Sequence, residues 1–345
     1  MLQRFPHIFS LPFLVTLFSP VFSAEAQDMV FSNSHAALLY ANPAFAGASG
    51  RYYANAAARS QFTAAGNVYT TFYIDGNAYI PSWRSGFGLF VMNDRAAGGL
   101  FQTTSAGLAY AYAFPLSENI ILRPALQAVF YNLQRNSQDV IFPDMVGTGG
   151  TTYLPVEGFS TQRVDFAAGL LLVHPVFQAG VAVQHIGASG SETYITYGRP
   201  SMKITAHAQA AIALAGESAL RSLNEWTMFE NITLTPQVKY IRQAGFNYLI
   251  AGATVRSGGL FAGAALRTPL QQQTFAGALS VGLETYLLKL GYSFDFITAG
   301  GNLRGWNSGS HELFLYYSFG AANEPERRRS RQKVRRLNPA CGCPY

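Results

Sequence analysis

Residues 285–295, TYLLKLGYSFD, alternate between two kinds of side chain from Leu288 onwards. The even positions carry large apolar groups, whereas the odd positions carry Lys289, Ser293 and Asp295. A period of two is typical of a β-strand with one apolar and one polar face. About 9–11 residues are enough for a tilted strand to cross a bilayer. The segment therefore predicts a membrane strand with its apolar face towards lipid and its polar face towards a lumen.

The same alternation recurs along the chain, most clearly in residues 102–114, 120–131 and 231–241. Turn signals divide the remainder into similar segments, and an even number of strands is expected of a bacterial single-chain barrel. The predicted strands are 51–62, 67–80, 85–93, 102–113, 120–131, 161–173, 176–185, 201–213, 231–241, 246–255, 259–268, 274–282, 285–295 and 310–319. The sequence thus predicts an all-β transmembrane antiparallel up-and-down barrel of about fourteen strands, within residues 51–320.

Composition supports a membrane protein that crosses with strands. Only 12% of the 345 residues are charged, about half the usual share of a soluble domain. The nearest candidate for a spanning helix after the first 25 residues, 166–183, carries His174, Pro175 and Gln178 at its centre. Such a centre would leave backbone groups unsatisfied in lipid, so two strands around a turn are the better interpretation.

The N-terminus has the three parts of an export signal. Arg4 supplies a positive charge, residues 8–22 are apolar, and Ala24-Glu25-Ala26 forms an A-x-A cleavage site. We therefore expect a signal peptide at 1–26, a periplasmic or lumenal segment at 27–50, and a multi-pass protein of the outer membrane. If both chain ends are periplasmic, most long connections fall outside, and 214–230 is the exception.

The tail, 321–345, is strongly basic and carries +5 of the net charge of +6. An exported chain rarely meets nucleic acid, so the tail is interpreted either as a solvated periplasmic segment or as an electrostatic docking site for an acidic partner. Cys341 and Cys343, one residue apart, define no disulfide framework. The basic residues are Arg327, Arg328, Arg329, Arg331, Lys333, Arg335 and Arg336.

Motifs spread over the mature chain carry a family resemblance. It opens with Gln27-Asp28 and the run from Tyr40 to Gly47, YANPAFAG. The later motifs are 86–88 (GFG), 91–95 (VMNDR), 110–112 (YAY), 115–118 (PLSE), 197–200 (YGRP), 291–295 (GYSFD) and 308–312 (SGSHE). In order and spacing the chain resembles the PorP/SprF family of outer-membrane proteins, which are associated with type IX secretion and gliding motility.

The resemblance implies a non-enzymatic role in export, without a cofactor. Such a barrel would bind secreted or surface-anchored adhesin-type cargo and periplasmic components of the secretion machinery, with lipid around it and no nucleic acid as partner. The alternative is an outer-membrane channel or transporter for small solutes, because barrels of this size also serve that purpose.

Candidate site residues fall into three groups, and we predict no catalytic, cofactor or metal site. Asn42, Pro43, Phe45 and Gly47 precede the first strand, as a turn, a lumenal plug or a docking peptide. His311 and Glu312 are adjacent on a strand and so point to opposite faces, which favours a barrel rim over a metal site. The predicted lumen-facing residues are Arg123, Gln127, Arg163, Asp165, Lys203, His207, Lys239, Lys289 and Asp295.

Overall fold

The computed structural model describes most of the chain from residue 28 onwards. The described residues are 28–33, 35–61, 69–136, 158–187, 189–190, 200–214, 232–270, 275–285, 287–298 and 309–319. The signal-peptide prediction, the basic tail with its two cysteines, and most of the 214–230 connection therefore lie outside the described residues.

Fourteen antiparallel strands form one sheet, and the prediction of a fourteen-stranded antiparallel barrel is confirmed. A two-residue segment, Ser189–Gly190, adds a short pairing to β6. The strands are β1 (Tyr52–Gln61), β2 (Tyr69–Ile80), β3 (Ser85–Ala96), β4 (Phe101–Tyr112, continued by Phe114–Pro115), β5 (Ile121–Arg135), β6 (Phe159–His174), β7 (Phe177–Gln184), β8 (Lys203–Ala210, continued by Ile212–Ala213), β9 (Thr233–Gln243), β10 (Phe246–Ser257), β11 (Leu260–Pro269), β12 (Phe275–Glu284), β13 (Leu288–Thr298) and β14 (Ser310–Phe319).

The sheet closes because the last strand pairs with the first. Each strand pairs with its neighbours in sequence, and β14 pairs with β1 from Tyr52 opposite Phe319 to Gln61 opposite Ser310. We call the end where β1 begins the proximal mouth and the other end the distal mouth. Closure pairs the first strand with the last, which is how a sheet in lipid avoids two free edges.

Alternation along each strand separates an apolar outer surface from a polar interior. In β13, Leu288 and Tyr292 are 41% and 40% exposed on the outside, whereas Lys289 and Asp295 are 3% and 2% exposed. Leu126 of β5 is 68% exposed on the outside. An apolar surface of this extent is stable only against lipid, so the fold places the protein in the outer membrane.

The helices are short, and among the described residues no helix is long and apolar enough to cross a membrane. One α-helical turn, α1 (Leu38–Ala41), and a 3₁₀ turn (Pro43–Phe45) precede β1. Two further 3₁₀ turns, Pro81–Trp83 and Ala97–Gly99, connect β2 to β3 and β3 to β4. The two turns before β1 belong to the segment inside the barrel.

A charge on the outer surface should destabilise the barrel according to its depth in the bilayer. We expect Leu126→Arg, in the middle of β5, to cost about 2–4 kcal/mol of unfolding free energy. Leu116 is also well exposed, at 60%, but lies in the turn between β4 and β5. Leu116→Arg is therefore the matched control and should cost about 0–1 kcal/mol. Equilibrium denaturation in lipid vesicles measures both, and equal costs would contradict the proposed lipid-facing surface.

Candidate functional site: a lumen occupied by the N-terminal segment

The lumen contains residues 28–33 and 35–50, which we call the lumenal segment. Its apolar residues Leu39, Ala44 and Ala46 are fully buried, and Tyr40 and Phe45 are nearly so. These side chains form the core of the molecule together with inward-facing residues of the barrel wall. The interior of the barrel is therefore packed, like that of a soluble domain, around a segment of its own chain.

The lumenal segment runs from one mouth to the other. Asp28 contacts Lys203 at the start of β8 and Gln243 at the end of β9, both at the distal mouth. At the other end, Gly47 donates its N–H to Asn77 near the end of β2, at the proximal mouth. The segment therefore spans the length of the lumen before β1 begins.

Asn42 fixes the middle of the lumenal segment to β6, β7 and β8. Its side-chain oxygen accepts the N–H of Ala44 at 2.9 Å, which caps the 3₁₀ turn. Its amide nitrogen lies 3.2 Å from the carbonyl oxygen of Leu170 and 3.2 Å from Nε2 of His207. Phe45 stacks on the same histidine, with ring centroids 5.3 Å apart. Asn42 and Phe45 thus hold the segment against one wall.

Glycines in the wall provide the space for this segment. A Cβ on Gly86 would lie 2.0 Å from the carbonyl oxygen of Ala46, and one on Gly169 would lie 2.2 Å from the side-chain oxygen of Asn42. Gly47 itself has a φ of +63° and approaches Gly86 closely. Any other residue at Gly86 or Gly169 would therefore prevent the lumenal segment from approaching the wall backbone this closely.

Side chains of the wall satisfy the backbone of the lumenal segment, which has little regular structure. Arg123 donates to the carbonyl oxygens of Ala44 and Ala46. Asn55 and Gln184 donate to the carbonyl oxygens of Ala36 and Tyr40, at 2.8 and 2.6 Å. Buried carbonyl groups without such partners would be costly, so the polar lumen face is used to hold the segment.

Arg59 of β1 is the centre of a buried ionic cluster. It lies 2.8 Å from Asp295 and 2.8 Å from Glu312, and all three side chains are at most 3% exposed. Glu312 in turn accepts the backbone N–H groups of Ser32 and Asn33, each at 2.9 Å. The cluster therefore joins β1, β13 and β14 and fixes the position of the lumenal segment.

A second ionic cluster holds Asp28 at the distal mouth. Its carboxylate lies 2.9 Å from Nε2 of His185 and 3.3 Å from Nζ of Lys203, and the other ring nitrogen of His185 binds Asp165. Burial favours the neutral imidazole, but the two carboxylates prevail and raise the pKa of His185 to about 9. Burial would raise the pKa of Asp28, whereas Lys203 and His185 hold it well below its usual range. The ion pair thus persists in mild acid and weakens above about pH 9, where His185 loses its proton.

The structure places the predicted lumen-facing residues as follows. Arg123, Gln127, Asp165, Lys203, Lys289 and Asp295 are buried, and Arg163, His207 and Lys239 are half-buried. The four N-terminal candidates are all buried in the lumen and attach the lumenal segment to the wall. They are Asn42, Pro43, Phe45 and Gly47. In β14, His311 is exposed on the outside and Glu312 is buried inside.

Sequence reasoning missed Arg59, His185 and the wall glycines as contacts of the lumenal segment. Arg59 lies on the inner face of β1, and the outer face carries Ala54, Ala56 and Ala58. Because alanine is small, this strand shows only a weak alternation between apolar and polar side chains. The described residues contain no group of three or more His, Cys, Asp or Glu side chains arranged to hold a metal ion.

A methyl group at Gly86 should push the lumenal segment away from the wall. We expect Gly86→Ala to cost about 1–3 kcal/mol of unfolding free energy, because overpacking of a close contact costs this much. Gly76→Ala is the matched control, since a Cβ there would meet its nearest atom at 3.8 Å, an ordinary contact. Denaturation of both variants in the same detergent measures the difference. A Gly86→Ala variant as stable as the control would contradict the close packing of the segment.

Comparison with known proteins places the chain in a family. No curated protein matched it. Among solved structures it is similar to the CymD monoaromatic hydrocarbon channel (12% identity, TM-score 0.47, 84% of this chain and 94% of that chain). It is also similar to the outer membrane protein Omp33 of Acinetobacter baumannii (9% identity, TM-score 0.41, 78% and 99%). The model of the type IX secretion system membrane protein PorP/SprF family matches residues 23–317, so the chain belongs to that family.

Proposed function

We propose that this barrel is a non-enzymatic, partner-binding component of type IX secretion. Its partners would be secreted or surface-anchored proteins, including adhesins of gliding motility, and periplasmic components of the machinery. Membership of the secretion-system family supports the role in export. The occupied lumen is the observation that favours partner binding over solute transport.

The occupied lumen argues against the rival function of a solute channel. Tyr73, Phe90 and Leu171 of the wall are at most 1% exposed, and the lumenal segment packs on them. Polar wall groups that would line a conduit instead bind this segment, as Arg123 and Gln184 do. A solute would have to displace many paired groups, whereas a protein partner can bind at the mouths without disturbing them.

The mouths and the tail are the surfaces that we assign to partners. At the distal mouth, long connections would meet cargo outside the cell. At the proximal mouth, the basic tail from Arg327 to Arg336 would meet an acidic periplasmic partner by charge attraction, which salt would weaken. Direct binding of a partner by Asn42 or Phe45 would require the lumenal segment to leave its site, because both are buried.

Two assays separate partner binding from transport. We expect the purified barrel in a planar bilayer to conduct little, and cross-linked barrel from gently solubilised membranes to retain secreted proteins and periplasmic components identified by mass spectrometry. Robust solute flux without any retained protein would contradict the proposal and favour a channel.

The tail is tested in the same pull-down. Deletion of residues 327–345 should lower recovery of periplasmic components but not of cargo. A variant that carries glutamine at the seven basic positions keeps the length of the tail and isolates the effect of charge. Unchanged recovery in both variants would remove the tail from the proposal and leave the rest of it intact.

A further inference from the structure

Small cavities remain between the lumenal segment and part of the wall. They lie between the segment and the wall of β9 to β13, where inward-facing positions are small, such as Ala265, Ala278 and Ser280. On the opposite side, bulky residues such as Tyr73 and Phe90 fill the space. The first cavity is lined by polar groups of the lumenal segment and of the wall. They are Ser32, Asn33, His35, Gln237, Thr254, Ser280 and Ser293.

His35 presents an unsatisfied donor at this cavity. Nε2 of His35 lies 3.3 Å from the guanidinium of Arg256, which can only donate, so Nε2 accepts. Because Nε2 accepts this hydrogen bond, it carries no proton of its own, so the ring is neutral. The proton of the neutral ring is then on Nδ1, which is buried and has no hydrogen-bond partner. A buried N–H without a partner is costly unless something else accepts it.

Hydroxyl groups add further donors. Ser293 accepts the side-chain N–H of Asn33 at 3.1 Å, so its own O–H proton is available. Ser280 and Thr254 also line the cavity. The side chains around this space can therefore offer several donors to one acceptor.

The charges around His35 are out of balance. Lys289, Arg256 and Lys239 all act on it electrostatically. Glu284 pairs with Arg256 at 3.2 Å and with Lys289 at 3.3 Å. Among the described residues Lys239 has no carboxylate within ion-pair distance. Lys239 is influenced electrostatically by Glu312, but Glu312 already pairs with Arg59, so the cations next to the unsatisfied donor outnumber the carboxylates available to them.

We propose that this cavity binds one small monovalent anion, such as chloride, between the lumenal segment and the wall. The cavity is on the scale of a single water molecule, which suits a halide and excludes phosphate or a nucleotide. His35 Nδ1, Ser293 and Ser280 donate to the anion, and Lys239, Arg256 and Lys289 supply the opposite charge. The anion fastens the lumenal segment to β9–β13 across this cavity. Water has no charge and would leave the excess of positive charge uncompensated.

Bromide identifies the site directly because it scatters anomalously. Crystals of the mature barrel grown in sodium bromide should show an anomalous peak next to His35, Ser280 and Ser293. An ordered water only, with no anomalous peak at this position, would overturn the proposal. This measurement needs no variant, so it does not depend on whether a substituted barrel folds.

Thermal unfolding in detergent tests the consequence. An anion that binds the folded state stabilises it by mass action, so the unfolding temperature should be higher in sodium chloride than in sodium gluconate at equal ionic strength. Lys239→Gln should lose most of that difference, and Ser280→Ala part of it. Arg95→Gln is the matched control, because Arg95 is an exposed cation on the outer face of β3. The same chloride effect in Lys239→Gln and Arg95→Gln would contradict the site.

Discussion

The structure depends on one constraint: a polypeptide in lipid must pair every backbone N–H and C=O group with another protein group. Closure of β14 on β1 meets this requirement for the wall. The lumenal segment has almost no regular structure, so wall side chains complete its pairing, as Arg123 and Asn55 do. The polar inner face of the strands thus holds a piece of the same chain.

The two ionic clusters determine where that piece lies. Removal of one partner from a buried ion pair costs about 3–5 kcal/mol, whereas the intact pair contributes little net stability, so such pairs mainly specify geometry. Arg59 and Glu312 fix Ser32 and Asn33, and the His185 cluster fixes Asp28. Apolar packing holds the portion near Leu39 and Phe45. This arrangement supports our proposal that protein partners bind at the mouths.

Period-two patterning was enough to predict the barrel, because each lipid-facing position must be apolar whatever its neighbours are. It also placed Lys289 and Asp295 on the inner face of β13. It could not predict the contacts of Gly86 or Gly169, because the absence of a Cβ matters only once the opposing backbone is known. Nor could it identify Arg59 or His185 as anchors, since their partners are distant in sequence and the lumenal segment has no period of its own.

Protection of one residue in the lumenal segment is the most direct test of the account. Ala44 is fully buried, and cysteine is close to it in size. In a Cys341→Ser, Cys343→Ser background, we expect Ala44→Cys to react with a maleimide only after denaturation, whereas Ser117→Cys, in an exposed turn, reacts in the folded barrel. If Ala44→Cys reacts in the folded protein as fast as Ser117→Cys, the lumen is open and the account fails.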